Sequence, residues 1–195
     1  MRLGILLSGR GSNFQAIHRA IEVGTLQAEI ACVISNVPDA AGLAYARNAG
    51  LVTYGLQSKA VPRVEFDISV MEILREHSVQ LVCLAGYMRL LSREMVRSYT
   101  GRILNIHPSL LPAFPGLHAQ RQAIEYGVQI SGCTVHYVDE GLDTGRPIAQ
   151  VAVPVLKDDT EETLSARILL EEHKLYPKAI GLVIQEKAST QYLTA

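Results

Sequence analysis

A chain of 195 residues, 48% apolar and 19% charged, is too hydrophobic for disorder and long enough to bury a core in one or two domains. A formal net charge of −1 argues against a nucleic-acid partner, which calls for a clustered cationic excess, and points to small ligands. Cys32, Cys83 and Cys133 are odd in number and lack a C-x-x-C pair, so they predict buried thiols rather than disulfides. The first apolar run, 3–7, is too short for a secretory signal, and no run approaches the roughly 20 apolar residues of a membrane span. A cytoplasmic protein with no membrane partner is expected.

The first half alternates β-rich runs with segments of helical period. Strands are predicted at 2–8, 30–35, 52–56, 80–85 and 102–106. Between them Phe14, Ile17 and Ile21, then Leu43, Ala46, Arg47 and Ala49, then Val64, Ile68, Met71 and Leu74 keep a three-to-four spacing. The pattern predicts an α/β fold: a doubly wound, mostly parallel open sheet with helices on both faces. Residues 108–116 are proline-rich and cannot form regular helix. Leaving Leu110, Leu111 and Phe114 in water would be costly, so this stretch is expected to be a packed loop rather than a linker. A short helix at 120–126, strands at 131–138 and 147–155, and a last helix starting near Asp159 and Thr160 complete one domain.

Ser8-Gly-Arg-Gly-Ser-Asn13 falls between the first strand and the first helix, where backbone amides can surround an anion. Its spacing fits neither a dinucleotide fingerprint nor a Walker loop. Phosphate binding is one explanation. A plain turn, with Ser12 and Gln15 as a capping box, is the other.

Asn105 and His107 stand two apart on a predicted strand, so both side chains leave one face near its carboxyl end. A histidine trades protons near neutral pH, and an amide NH₂ can donate to an oxygen gaining negative charge, which are the two services acyl transfer needs. Asp143 is a candidate third member, orienting the imidazole and favouring its cationic form. Taken singly, each of these residues is more often a satisfied hydrogen bonder or a solvated turn. No G-x-S-x-G elbow surrounds Ser109, and His18, His77, His107, His118, His136 and His173 show no ligand spacing. Neither a covalent nucleophile nor a metal is expected.

Four stretches carry a wider resemblance: Leu7-Ser-Gly-Arg-Gly-Ser-Asn-Phe-Gln-Ala-Ile17, Leu84-Ala-Gly-Tyr-Met-Arg-Leu-Leu91, Leu104-Asn-Ile-His-Pro-Ser-Leu-Leu-Pro-Ala-Phe-Pro-Gly-Leu-His118 and Glu172-His-Lys-Leu-Tyr-Pro177. In this order the chain resembles the glycinamide ribonucleotide formyltransferases, folate-dependent enzymes of purine synthesis. The resemblance implies a single formyltransferase domain over 1–195, with a phosphate-binding half at about 1–100 and a catalytic and folate-binding part at about 101–195. It implies Asn105, His107 and Asp143 as the catalytic trio, and 10-formyltetrahydrofolate as co-substrate without a metal. Gly11, Ser12, Asn13 and Glu172 would hold the phosphoribosylglycinamide. Arg63, Met88, Arg89, Leu90, Leu91, Asn105 and the run Asp139, Glu140, Gly141, Leu142 and Asp143 would hold the folate, an arginine suiting its glutamate carboxylate.

For Met88, Leu90 and Leu91 ordinary core packing is expected of at least one. Leu169 and the insertion of Arg146 between Gly145 and Pro147 depart from the family pattern. A monomer or weak homodimer is expected. The rival functions are a formyltetrahydrofolate hydrolase, another folate-dependent formyltransferase, or a phosphosugar or folate sensor without activity.

Overall fold

The computed structural model describes the backbone of residues 1–193 and side chains to residue 189. The chain divides into two compact units, Met1–Asn105 and Ile106–Ala195. The first alternates β1 (Arg2–Leu7), α1 (Ser12–Glu22), β2 (Glu29–Ser35), α2 (Ala41–Asn48), β3 (Thr53–Gly55), α3 (Arg63–Glu76), β4 (Leu81–Leu84), α4 (Arg93–Ser98) and β5 (Ile103–His107). β1 pairs in parallel with β2 and β4, β2 with β3, and β4 with β5. The chain therefore builds outward through β2 and β3, then reverses at β4. Right-handed crossovers on either side of that reversal place α1 and α2 on one face and α3 and α4 on the other. Cover on both faces is why β1 and β4 read as unbroken apolar runs: Leu3, Ile5, Leu6, Leu7, Leu81, Val82 and Cys83 are fully buried.

In the second unit, α5 (Ala119–Tyr126) precedes β6 (Ile130–Tyr137) and β7 (Pro147–Pro154), an antiparallel pair. The final helix, α6 (Glu161–Leu193), packs on both strands and on α5. It buries Leu164, Ile168, Leu175, Tyr176, Ala179, Ile180 and Val183. Its start is capped as expected: Thr160 and Thr163 exchange amide-to-hydroxyl hydrogen bonds at 2.9 and 3.3 Å. The sheet has seven strands in the order β3-β2-β1-β4-β5-β6-β7, open and mostly parallel.

Two expectations are corrected. On α3 the stripe Val64, Ile68, Met71 and Leu74 is out of phase: Val64 and Ile68 are exposed, and the buried face is Phe66, Asp67, Val70, Met71 and Leu74. A buried carboxylate in mid-stripe hides the true period; Oδ2 of Asp67 accepts the Ser92 amide at 2.5 Å. On α2, Leu43 and Ala46 are buried, whereas Arg47 and Ala49 are exposed. α4, six residues long, is too short to leave a periodic signal and was not anticipated. All three cysteines are buried and none forms a disulfide.

Candidate active site

β5 carries Asn105 and His107 at its carboxyl end, two residues apart and hence on one face of the strand. His107 is 5% exposed. Its Nε2 lies 2.8 Å from the Phe114 carbonyl oxygen, and its Nδ1 lies 3.4 Å from Oδ2 of Asp143. Both ring nitrogens thus face acceptors. Asp143 is held in turn by the Gly116 amide, which donates to the same Oδ2 at 2.8 Å. Its backbone is left-handed, φ 55°, a conformation aspartate tolerates better than most residues. The sequence distance between His107 and Asp143 is closed by the β6–β7 hairpin, as expected of the adjoining strand.

The proline-rich stretch is a packed loop. Thr134 on β6 donates its hydroxyl to the Ser109 carbonyl at 2.7 Å and accepts the Leu111 amide at 3.0 Å. Gln150 on β7 donates to the Leu111 carbonyl and to Thr134 Oγ1, both at 2.9 Å. Within the loop, the Ser109 hydroxyl donates to the Ala113 carbonyl at 2.5 Å. Gly132 lets the loop lie close to β6: a Cβ there would strike the Val151 carbonyl oxygen and come within 2.8 Å of Leu110. These bonds anchor the loop that carries the Phe114 carbonyl, which faces His107. In the hairpin loop, Asp139 accepts the Gly141 amide at 3.0 Å and the Thr144 hydroxyl at 2.7 Å, while Glu140, Gly141 and Leu142 are exposed. Arg146, the inserted residue, lies over the Tyr137 ring and pairs with Glu186 at 3.4 Å. Glu172 is buried in α6; with Glu171 it adds to the burial that pushes the Cys133 thiol up to about 12.

In the first unit the glycine loop does not form the capping box of the plain-turn alternative. Gly11, at φ 67°, is the N-cap of α1, no side chain caps the helix, and Gln15 donates instead to the Arg10 carbonyl at 3.2 Å. Ser12 is the first helical residue and Asn13 is buried. The amide ends of this turn therefore stand at the carboxyl edge of β1, at the reversal between β1 and β4 where open sheets take ligands. The loop after β4 is tied to the same edge: Ser8 donates its amide to the Gly86 carbonyl at 3.0 Å, and its hydroxyl accepts the Met88 amide at 2.7 Å and donates to Asn36 at 2.6 Å.

Met88 and Leu90 are 73% and 58% exposed and Leu91 is half-buried, so core packing does not account for Met88 or Leu90. Arg89 points inward. Its guanidinium donates to the Ser58 and Val61 carbonyls at 3.3 and 2.9 Å and lies 4.7 Å from the Phe66 ring centre. It is an anchor of the loop, and Arg63, exposed at the start of α3, is the freer of the two arginines. Asn36, Asp67, Thr134 and Gln150 escaped the sequence analysis because each works through a partner far away in the chain. No local spacing marks them.

The trifunctional purine biosynthetic protein adenosine-3 of Drosophila pseudoobscura pseudoobscura is 49% identical over 93% of this chain, which spans only 14% of that relative. The phosphoribosylglycinamide formyltransferase of Escherichia coli is 43% identical over 93% of this chain and 86% of its own length. The crystal structure of glycinamide ribonucleotide transformylase 1 from Symbiobacterium toebii superposes with a TM-score of 0.90 at 52% identity, covering 93% of this chain and 86% of that one. With the formyl transferase family matching residues 1–180, the chain belongs to that family.

Proposed function

We propose that this protein transfers the formyl group of 10-formyltetrahydrofolate to the glycinamide amine of N1-(5-phospho-D-ribosyl)glycinamide, on the route to IMP. The observation that carries the proposal is the contact of Asp143 with His107 at the end of the strand that bears Asn105. The names of the Escherichia coli and Symbiobacterium toebii relatives support the substrate assignment. The amine nitrogen attacks the formyl carbon, and the carbonyl oxygen becomes an oxyanion. The Asn105 amide and the doubly protonated His107 ring donate to it, the oxyanion replacing the Phe114 carbonyl as acceptor. The bond to the folate nitrogen then breaks; the amine loses a proton and the leaving nitrogen gains one. Asp143 holds the imidazole through its Nδ1.

Gly11, Ser12, Asn13 and Glu172 take the phosphoribosylglycinamide in this proposal. Arg63, the 88–91 loop and the 139–143 loop take the folate. Each expected site residue keeps its role except the Arg89 guanidinium, which serves the loop rather than a carboxylate. The protein acts as one formyltransferase domain over 1–195, with its phosphate-binding half at about 1–100 and its catalytic and folate-binding part at about 101–195. It works without a metal, on small-molecule partners in the cytoplasm, as a monomer or weak homodimer. Among the described residues, no helix is long and apolar enough to cross a membrane.

The test is release of tetrahydrofolate from 10-formyltetrahydrofolate with and without the ribonucleotide. Ribonucleotide-dependent release with formylated product is expected, and His107→Ala should lower kcat by about 10²–10³-fold. Release without the ribonucleotide would mean a hydrolase, and ligand binding without release would mean a sensor.

A further inference from the structure

Ser8 directly follows β1 and opens the glycine loop, yet its bonds run out of that loop, all within the first unit. Its amide donates to the Gly86 carbonyl at 3.0 Å. Its hydroxyl oxygen accepts the Met88 amide at 2.7 Å and donates to Oδ1 of Asn36 at 2.6 Å. The Asn36 amide group donates to the Ser58 hydroxyl at 3.3 Å, and the Ser58 carbonyl accepts the Arg89 guanidinium at 3.3 Å. From the glycine loop the bonds therefore pass the carboxyl end of β2 and come back to the 88–91 loop.

Each loop is also held on the side away from Ser8. The Gly9 carbonyl accepts the Gly42 amide of α2 at 3.0 Å, and a Cβ at Gly42 would stand 3.0 Å from that same oxygen and 2.8 Å from Leu7. Past the 88–91 loop, the Ser92 amide donates to Oδ2 of Asp67. Met88 and Leu90 are exposed, so apolar burial does little to set the position of this loop; bonds to its backbone and to Arg89 set it.

In the formyl-transfer proposal the two loops serve different molecules, the glycine loop the ribosyl phosphate and the 88–91 loop the folate. A phosphate that fixes the glycine loop reduces the freedom of Ser8 and, through Oγ, that of the Met88 amide. The folate then meets a wall that is already partly ordered. Linkage makes the effect reciprocal. A neutral hydrogen bond shifts an equilibrium by roughly two- to tenfold, which bounds what one hydroxyl can transmit.

Resting on the formyl-transfer proposal, we infer that Ser8 is a positioning residue that couples the two substrates: through its hydroxyl bond to the Met88 amide, a phosphate on the glycine loop tightens the folate at the 88–91 loop, and the reverse.

The probes are ribose 5-phosphate, which lacks the glycinamide amine, and tetrahydrofolate, which lacks the formyl group, so binding is read without reaction. Calorimetric titration of tetrahydrofolate with and without saturating ribose 5-phosphate gives the coupling. In the wild type the phosphosugar should tighten tetrahydrofolate about three- to tenfold. Ser8→Ala keeps the backbone bond to Gly86 and loses the hydroxyl, so that the factor should fall to about one; Ser8→Thr, which keeps a hydroxyl, should retain it. Thermal melts confirm that both variants fold. A wild-type factor of one, an undiminished factor in the alanine variant, or equal loss in the alanine and threonine variants overturns the inference. Hydrogen exchange at the Met88 amide needs no folate: ribose 5-phosphate should slow it about threefold or more in the wild type and leave it unchanged in Ser8→Ala. A wild-type exchange rate indifferent to the phosphosugar also overturns the inference. A wild type that binds ribose 5-phosphate but no tetrahydrofolate defeats the formyl-transfer proposal instead, and exchange at Met88 still decides whether Ser8 transmits.

Discussion

Met88 and Arg89 are neighbours in sequence and do opposite work. The Met88 side chain stands in solvent while its amide is held by Ser8; the Arg89 side chain is bound to two carbonyls and an aromatic ring. If Met88 is a wall for the folate, Met88→Asp removes apolar contact worth about 1.5–3 kcal/mol and should raise KM for the folate roughly 10–100-fold with kcat within about threefold. Steady-state kinetics with the ribonucleotide saturating would measure it. Arg89→Met should act differently, lowering the melting temperature more than it alters KM, because it frees two carbonyls and breaks a ring contact. Sequence marked both residues as ligand contacts. Nothing local to them says which way a side chain turns, since that is decided by the carbonyls of Ser58 and Val61 about thirty residues upstream.

Among elements, the β6–β7 hairpin and the proline-rich loop behave as one device. Thr134 contributes a hydroxyl that both donates and accepts, so replacing it by the near-isosteric valine leaves the Ser109 carbonyl and the Leu111 amide without that partner in a buried place. Thr134→Val is expected to cost about 1–3 kcal/mol in urea unfolding and to lower kcat as well, although the hydrogen bonds of Thr134 run to Ser109, Leu111 and Gln150. A loss of stability with kcat unchanged would separate the loop from the catalytic histidine. The loop's existence was legible from its prolines and from the cost of exposing Leu111; its anchors were not, because hydrogen bonds between a loop and a hairpin leave no period in either.

For the whole molecule, pH separates two groups. His136 is held below its ordinary value of 6.5 by burial, so the native state resists a proton that the unfolded chain accepts freely. Its contribution is absent above about pH 6.5 and turns unfavourable as pH falls from there, until the native ring also protonates. Asp159, bound by Arg167, Leu156 and Thr163, is held well below the usual carboxylate range, so its stabilisation is present above about pH 4 and is lost only in stronger acid. Urea midpoints are therefore expected to fall between pH 7 and pH 5, with His136→Phe flattening that fall, and to drop again below about pH 4. A midpoint unchanged between pH 7 and pH 5 in the wild type would mean that burial does not set the state of His136.

The alternation of apolar runs with helical periods determined the doubly wound sheet, because a strand covered on both faces must be apolar throughout and a crossover helix must carry a stripe. Spacing alone also placed Asn105 and His107 on one face, since a strand's side chains alternate. Tertiary structure decided the rest: that Asp143 reaches His107, that Gly11 rather than a side chain caps α1, that Asp67 interrupts the stripe of α3, and that His136 shares the carboxylate. The Asp143–His107 and Asp67–Ser92 contacts join segments tens of residues apart. Their energies come from burial and hydrogen-bond direction, which exist only once the chain has closed.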